Sequence, residues 1–78
     1  MGGEKFKQNG IYYGDTLEET IEIGSEIRIL RGENRGRKAI LIDIDYLSEM
    51  GSYRDRHTVK MVKSGEEFDC VREFYERW

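Results

Sequence analysis

Apolar and polar residues alternate with a period of two over most of the chain, the pattern of half-buried strands rather than helices. Ile21 and Ile23 alternate with Thr20 and Glu22, Gly24-Ser25 offers a turn, and Ile27 and Ile29 then alternate with Glu26, Arg28 and Leu30. A second run places Ile40, Ile42, Ile44 and Tyr46 on one face, read as the inner one, with Ala39, Leu41, Asp43 and Asp45 on the other. A third has Val59 and Met61 facing in, with Arg56, Thr58, Lys60 and Val62 opposite. Ser64-Gly65 predicts a tight turn into residues 66–72, where Phe68 and Cys70 share a face. The period changes at the end: Phe74 and Trp78 are four apart and would stack on one side of a helical turn that plugs one end of the core. The expected class is mostly β, with about five strands and a short C-terminal helical turn.

The first 20 residues carry two conflicting signals. Gln8-Asn9-Gly10-Ile11 has the form of a type I′ hairpin turn between Phe6 and Tyr12. Asp15-Thr16-Leu17-Glu18-Glu19 has the spacing of a helix capping box. Residues 1–20 are therefore read as either a loose leading segment or an added hairpin, and 21–78 as the domain. Leu30, Leu41, Val62 and Val71 fall on outward rows, and cover by Phe6, Ile11, Tyr12 or Leu17 is the expected remedy.

Composition narrows the class. At 78 residues the chain supports one domain whose core contributes only roughly 3 to 5 kcal/mol, too little to suggest a deep catalytic cleft. Charged residues make up 37%, but nine aromatics and the many isoleucines supply the core material that a disordered chain of similar charge lacks. A single cysteine, Cys70, excludes an internal disulfide, and no apolar stretch approaches a membrane span, so a cytoplasmic setting without membrane association is expected. The net charge of −3 argues against tight nonspecific binding to a polyanion. That total conceals alternating blocks, acidic over 1–27, 39–51 and 64–78 but basic over 28–38 and 52–63, so a cationic patch forms if the two basic blocks meet in space.

Residues 27–44 read as strand, glycine-bounded basic loop, strand: Gly32 and Gly36 bracket the reversal while Arg31, Arg35, Arg37 and Lys38 point away from the core. This stretch resembles the KOW motif of ribosomal proteins, of transcription factors related to bacterial NusG, and of some RNA-processing proteins. It departs from the common pattern at Ala39, where a third glycine is frequent. The resemblance covers about a quarter of the chain and implies a small SH3-like barrel whose basic loop touches RNA or DNA backbone, or a protein partner. On that reading Arg35, Arg37 and Lys38 neutralise phosphates and Arg54, Arg56 and Lys60 form a second wall. Tyr53, and less readily Tyr46, would stack on unpaired bases. The connection over 45–55 is long for a hairpin and carries Leu47 and Met50 as further contacts.

Enzymatic chemistry is not expected. His57 and Cys70 are the only residues of their types, so a nucleophile and base pair would require the fold to join them, and Cys70 reads better as a core residue beside Phe68. No metal spacing or nucleotide signature occurs, and no cofactor is expected; Asp43 and Asp45 read as solubilising residues or partners of Arg28. Two functions follow as expectations: a non-enzymatic, nucleic-acid-associated accessory domain, or alternatively a protein-interaction module or small regulator anchored by Phe74, Tyr75 and Trp78.

Overall fold

The computed structural model describes residues 10–13, 16–45 and 55–78. They form a mostly β domain: β1 (Ile11–Tyr12), β2 (Ile21–Glu22), β3 (Glu26–Ile29), β4 (Lys38–Asp45), β5 (Arg56–Met61), β6 (Glu67–Cys70), a 3₁₀ turn (Arg72–Phe74) and β7 (Tyr75–Arg77). β1 and β2 make a two-stranded ladder. The rest is one antiparallel sheet in the order β6-β5-β4-β3-β7, whose two outer strands do not pair with each other, so it is not closed. The sheet nevertheless wraps. In a flat sheet β5 and β7, three steps apart, would lie about 14 Å from each other, yet His57 Nδ1 of β5 and the Tyr75 hydroxyl of β7 are 2.8 Å apart.

The core is Tyr12, Ile21, Ile27, Ile29, Ala39, Leu41, Ile44, Val59, Met61 and Tyr75, with Ile23, Phe68, Cys70 and Phe74 packed against it. The alternation predicted for β3 and β5 is the one observed. β4 differs: Ala39 and Leu41 are fully buried while Ile40 and Ile42 are only half-buried. The reason is a bulge. Leu41 pairs with Val59 but Asp43 pairs with Thr58, so Ile42 is an extra residue and the parity of the strand changes there. The change lets Leu41 and Ile44 both point inward and keeps Asp43 exposed. Leu41 therefore needs no cover. Of the proposed covering residues, Tyr12 is part of the core, Ile11 is half-buried and Leu17 is 86% exposed; Phe6 lies outside the described residues, as does Tyr46 of the predicted inner row.

The C-terminal segment is helical only over Arg72–Phe74. Tyr75 then pairs with Ile29, Glu76 with Arg28 and Arg77 with Ile27, because β3 would otherwise leave a row of backbone groups unpaired. Trp78 consequently does not stack on Phe74, and Tyr75 is the residue that fills the core. Thr16 to Thr20 form a turn, with Glu19 N–H bonded to Thr16 C=O (3.1 Å) and Thr20 N–H to Leu17 C=O (3.2 Å), not the helix that the capping-box spacing suggested. Arg72 ties that turn to the sheet. Its guanidinium donates to the carbonyls of Glu18 (3.0 Å), Glu19 (3.0 Å) and Tyr75 (2.7 Å), and lies 4.5 Å over the Tyr75 ring.

Candidate nucleic-acid interface

The loop between β3 and β4 is held by its own backbone. Gly36 N–H donates to Ile29 C=O (2.6 Å), Ile29 N–H to Arg37 C=O (3.0 Å), Arg35 N–H to Gly32 C=O (3.2 Å) and Arg37 N–H to Asn34 C=O (3.0 Å). Gly32 and Gly36 have φ of 83° and 82°, a region that costs an L side chain. At Gly36 a Cβ would meet nothing within 4 Å, so the need for glycine there is conformational, not steric. This frame leaves Arg31, Arg35 and Arg37 exposed.

Lys38 opens β4, its ammonium 3.6 Å from Glu26 and 4.5 Å from the centre of the Trp78 ring. Trp78 is 51% exposed and also carries the Arg28 guanidinium at 4.6 Å, while Arg28 bonds Glu76 at 3.0 Å rather than Asp43 or Asp45. Val62 N–H donates to the Lys38 carbonyl (3.2 Å), which brings the β5–β6 turn beside the basic loop. Arg37, Lys38 and Lys63 then surround one depression of about 390 Å³, with Asn34, Met61, Val62 and Ser64 completing it. Lys63 was not anticipated from the sequence. It sits in a turn at the end of the second basic block, and only the hairpin register reveals that this end faces the loop.

The remaining predicted residues divide. Lys60 is exposed on the outer face, between Ile40 and Glu67. Arg56 lies four positions back along β5, roughly 13 Å away, where it is ion-paired with Asp45 and is 3.8 Å from Asp69. The hydrogen bond to Asp45, then its charge, raises the Arg56 pKa further. Tyr53 and Arg54 lie outside the described residues, as do Leu47 and Met50. Cations outnumber the carboxylates Glu26, Glu33 and Glu67 at the loop end, while Asp43, Asp45 and Asp69 gather near Arg56 at the other.

Beneath the sheet lies a polar group that alternation would have revealed. Asp55 and His57 share the inward parity of Val59 and Met61, and both are buried. The Tyr12 hydroxyl donates to Asp55 Oδ2 (2.9 Å), and the His57 ring sits edge-on to Tyr12 (4.6 Å) and Tyr75 (5.6 Å). His57 and Cys70 are direct partners across β5 and β6. Their environments oppose catalysis by the pair: burial, then the nearby Arg72 charge, lowers His57 to about 4, and burial pushes the Cys70 thiol up to about 11. A thiolate–imidazolium pair needs the reverse of both. Among the described residues no three His, Cys, Asp or Glu side chains converge as a metal site, and no helix is long and apolar enough to cross a membrane. Comparison with family models, with curated proteins and with solved structures gave no match.

Proposed function

We propose that the domain is a non-enzymatic module that holds RNA or DNA backbone in the depression between its two hairpin tips. The observation that supports this is the convergence of Arg37, Lys38 and Lys63 from separate hairpins, with Arg31 and Arg35 exposed on the same loop. A rigid, backbone-bonded loop spends little entropy in ordering its cations, and phosphates are matched by several charges within one phosphate spacing or two. The resemblance of residues 27–44 to the KOW motif supports the same reading. Arg56 is left out of the contact set, since a phosphate there would have to compete with two carboxylates, Asp45 and Asp69, whereas Lys38 has one, Glu26, at 3.6 Å and its neighbours Arg37 and Lys63 beside it.

The test is an NMR titration of the labelled full chain with short single-stranded RNA and with duplex DNA at low and moderate salt. Shifts are expected at Arg31, Arg35, Arg37, Lys38 and Lys63, with a log-log salt slope near −2, the value for about three phosphate contacts on a single strand. Charge reversal at Arg37 or Lys63 should weaken binding roughly tenfold, whereas Arg56→Glu should leave it within about twofold. Absence of shifts with either ligand at low salt would sink the proposal.

A further inference from the structure

β6 is an outer strand, and among the described residues nothing pairs with its free edge. Met61 N–H donates to the Glu66 carbonyl at 2.8 Å, which fixes the alternation along the β5–β6 ladder. Phe68 and Cys70 turn their backbone groups toward Val59 and His57, so the N–H and C=O groups of Glu67 and Asp69 face outward. Side chains divide by the same parity: Phe68 and Cys70 pack against the core, and Glu67 and Asp69 are exposed. On the inner side the strand borders a groove of about 400 Å³ floored by Phe68, Val71 and Phe74. The two phenylalanine rings meet edge to face at 6.4 Å, and Glu33 and Glu66, with Arg31 as the one cation, line the groove beside them.

We propose that this edge is a docking site for an extended segment of a partner protein in which basic and apolar residues alternate. Such a segment adds as a further strand by bonding the outward backbone groups of Glu67 and Asp69. Because side chains alternate between faces, every second residue drops toward Phe68 and Phe74, where an apolar group fits. The residues between them lie on the outer face, where Lys or Arg fits beside the Glu67 carboxylate, while Asp69 accepts from Thr58 at 2.8 Å and lies 3.8 Å from Arg56. A second copy of this chain is a poor occupant, since antiparallel pairing of β6 with itself sets Glu67 against the Asp69 of the other copy. The groove shares Arg31 and Asn34 with the loop of the nucleic-acid reading, but Arg37, Lys38 and Lys63 take no part in it, so the two surfaces can be told apart.

The test uses the labelled full chain and three short synthetic peptides: Lys and Val alternating, the same composition in two blocks, and Glu and Val alternating. The Lys/Val alternating peptide is expected to shift Glu67 through Cys70 and Phe74. With nine-tenths of the protein bound, exchange of the Glu67 and Asp69 amides should slow roughly tenfold, since only the free tenth exchanges. Glu67→Lys should weaken that peptide several-fold and strengthen the Glu/Val one. Equal binding of the block peptide, shifts centred on residues 35–38 and 61–64 instead, or no shift at millimolar peptide would overturn the proposal.

Discussion

His57 sits fully buried with Nδ1 2.8 Å from the Tyr75 hydroxyl and Nε2 without a hydrogen-bond partner among the described residues. Burial also raises the Tyr75 phenol, which keeps it protonated and able to donate. If Tyr75 donates to Nδ1, the imidazole carries its proton on Nε2 and a single polar atom is left unsatisfied; the opposite tautomer would leave two. A pH dependence follows. The folded pKa of about 4 lies below the unfolded value of 6.5, so the unfolded chain binds the proton more readily. Stability from this group is complete above pH 6.5 and falls as pH drops toward 4, by about 3 kcal/mol in all. Urea melts at pH 7.5, 6, 5 and 4 should show this decline, and its upper part, above the carboxylate range, should vanish in His57→Gln. A wild-type stability that is flat from pH 7.5 to 5 would contradict the assignment.

At the scale of the element, β4 shows what an inserted residue does. With Ile42 removed, Leu41 still pairs with Val59 and Asp43 with Thr58, and both keep their faces. Deleting Ile42 should therefore cost about 1–2 kcal/mol, mainly the loss of a half-buried side chain. Deleting Ile40 instead shifts Lys38 and Ala39 by one position, turns Ala39 outward and should cost more than about 4 kcal/mol. Denaturant midpoints of the two variants check this, and equal losses would refute the role given to the bulge. The same feature marks where the sequence stopped being legible. Strands β3, β5 and β6 follow from alternation alone, but the isoleucines at 40, 42 and 44 suggest an unbroken row, and nothing in a period-two pattern announces an extra residue. Likewise the glycine-bounded loop was readable, whereas the commitment of Arg56 to Asp45 and the approach of Lys63 to Arg37 depend on cross-strand register. At the end of the chain the short helical turn was readable, but the pairing of Tyr75–Arg77 with the free edge of β3, in place of a Phe74–Trp78 stack, was not.

Across the whole molecule, Arg72 joins parts that the sheet does not. It reaches from the 3₁₀ turn to two carbonyls of the 16–20 turn and one of β7, and Arg77 adds a 2.7 Å bond to the Thr20 carbonyl. Arg72→Met keeps much of the aliphatic stem but leaves three acceptors without their donor. A loss of about 2–3 kcal/mol is expected, with hydrogen exchange quickening first at Glu19 and Thr20, whose amides bond within that turn. Uniform quickening across β3 to β5 at the same stability loss would argue against a local tie.

The pairing of β3 with β7 has a consequence in time. Arg28 and Glu76, neighbours in the sheet, are 48 positions apart in the chain. A ribosome adding about 5–20 residues per second needs roughly 2 to 10 s to cover that distance. Once β4 has been made, β3 has a partner on one side while the strand for its other side, and the Tyr75 that enters the core, are still to come. A bare, isoleucine-bearing edge is a template for strands of other chains, so the growing polypeptide is exposed to misassociation until β7 is made. Arg28, at the middle of that edge, is then a cation still awaiting Glu76, and its charge is the feature of β3 that discourages a wrong partner until the right one arrives.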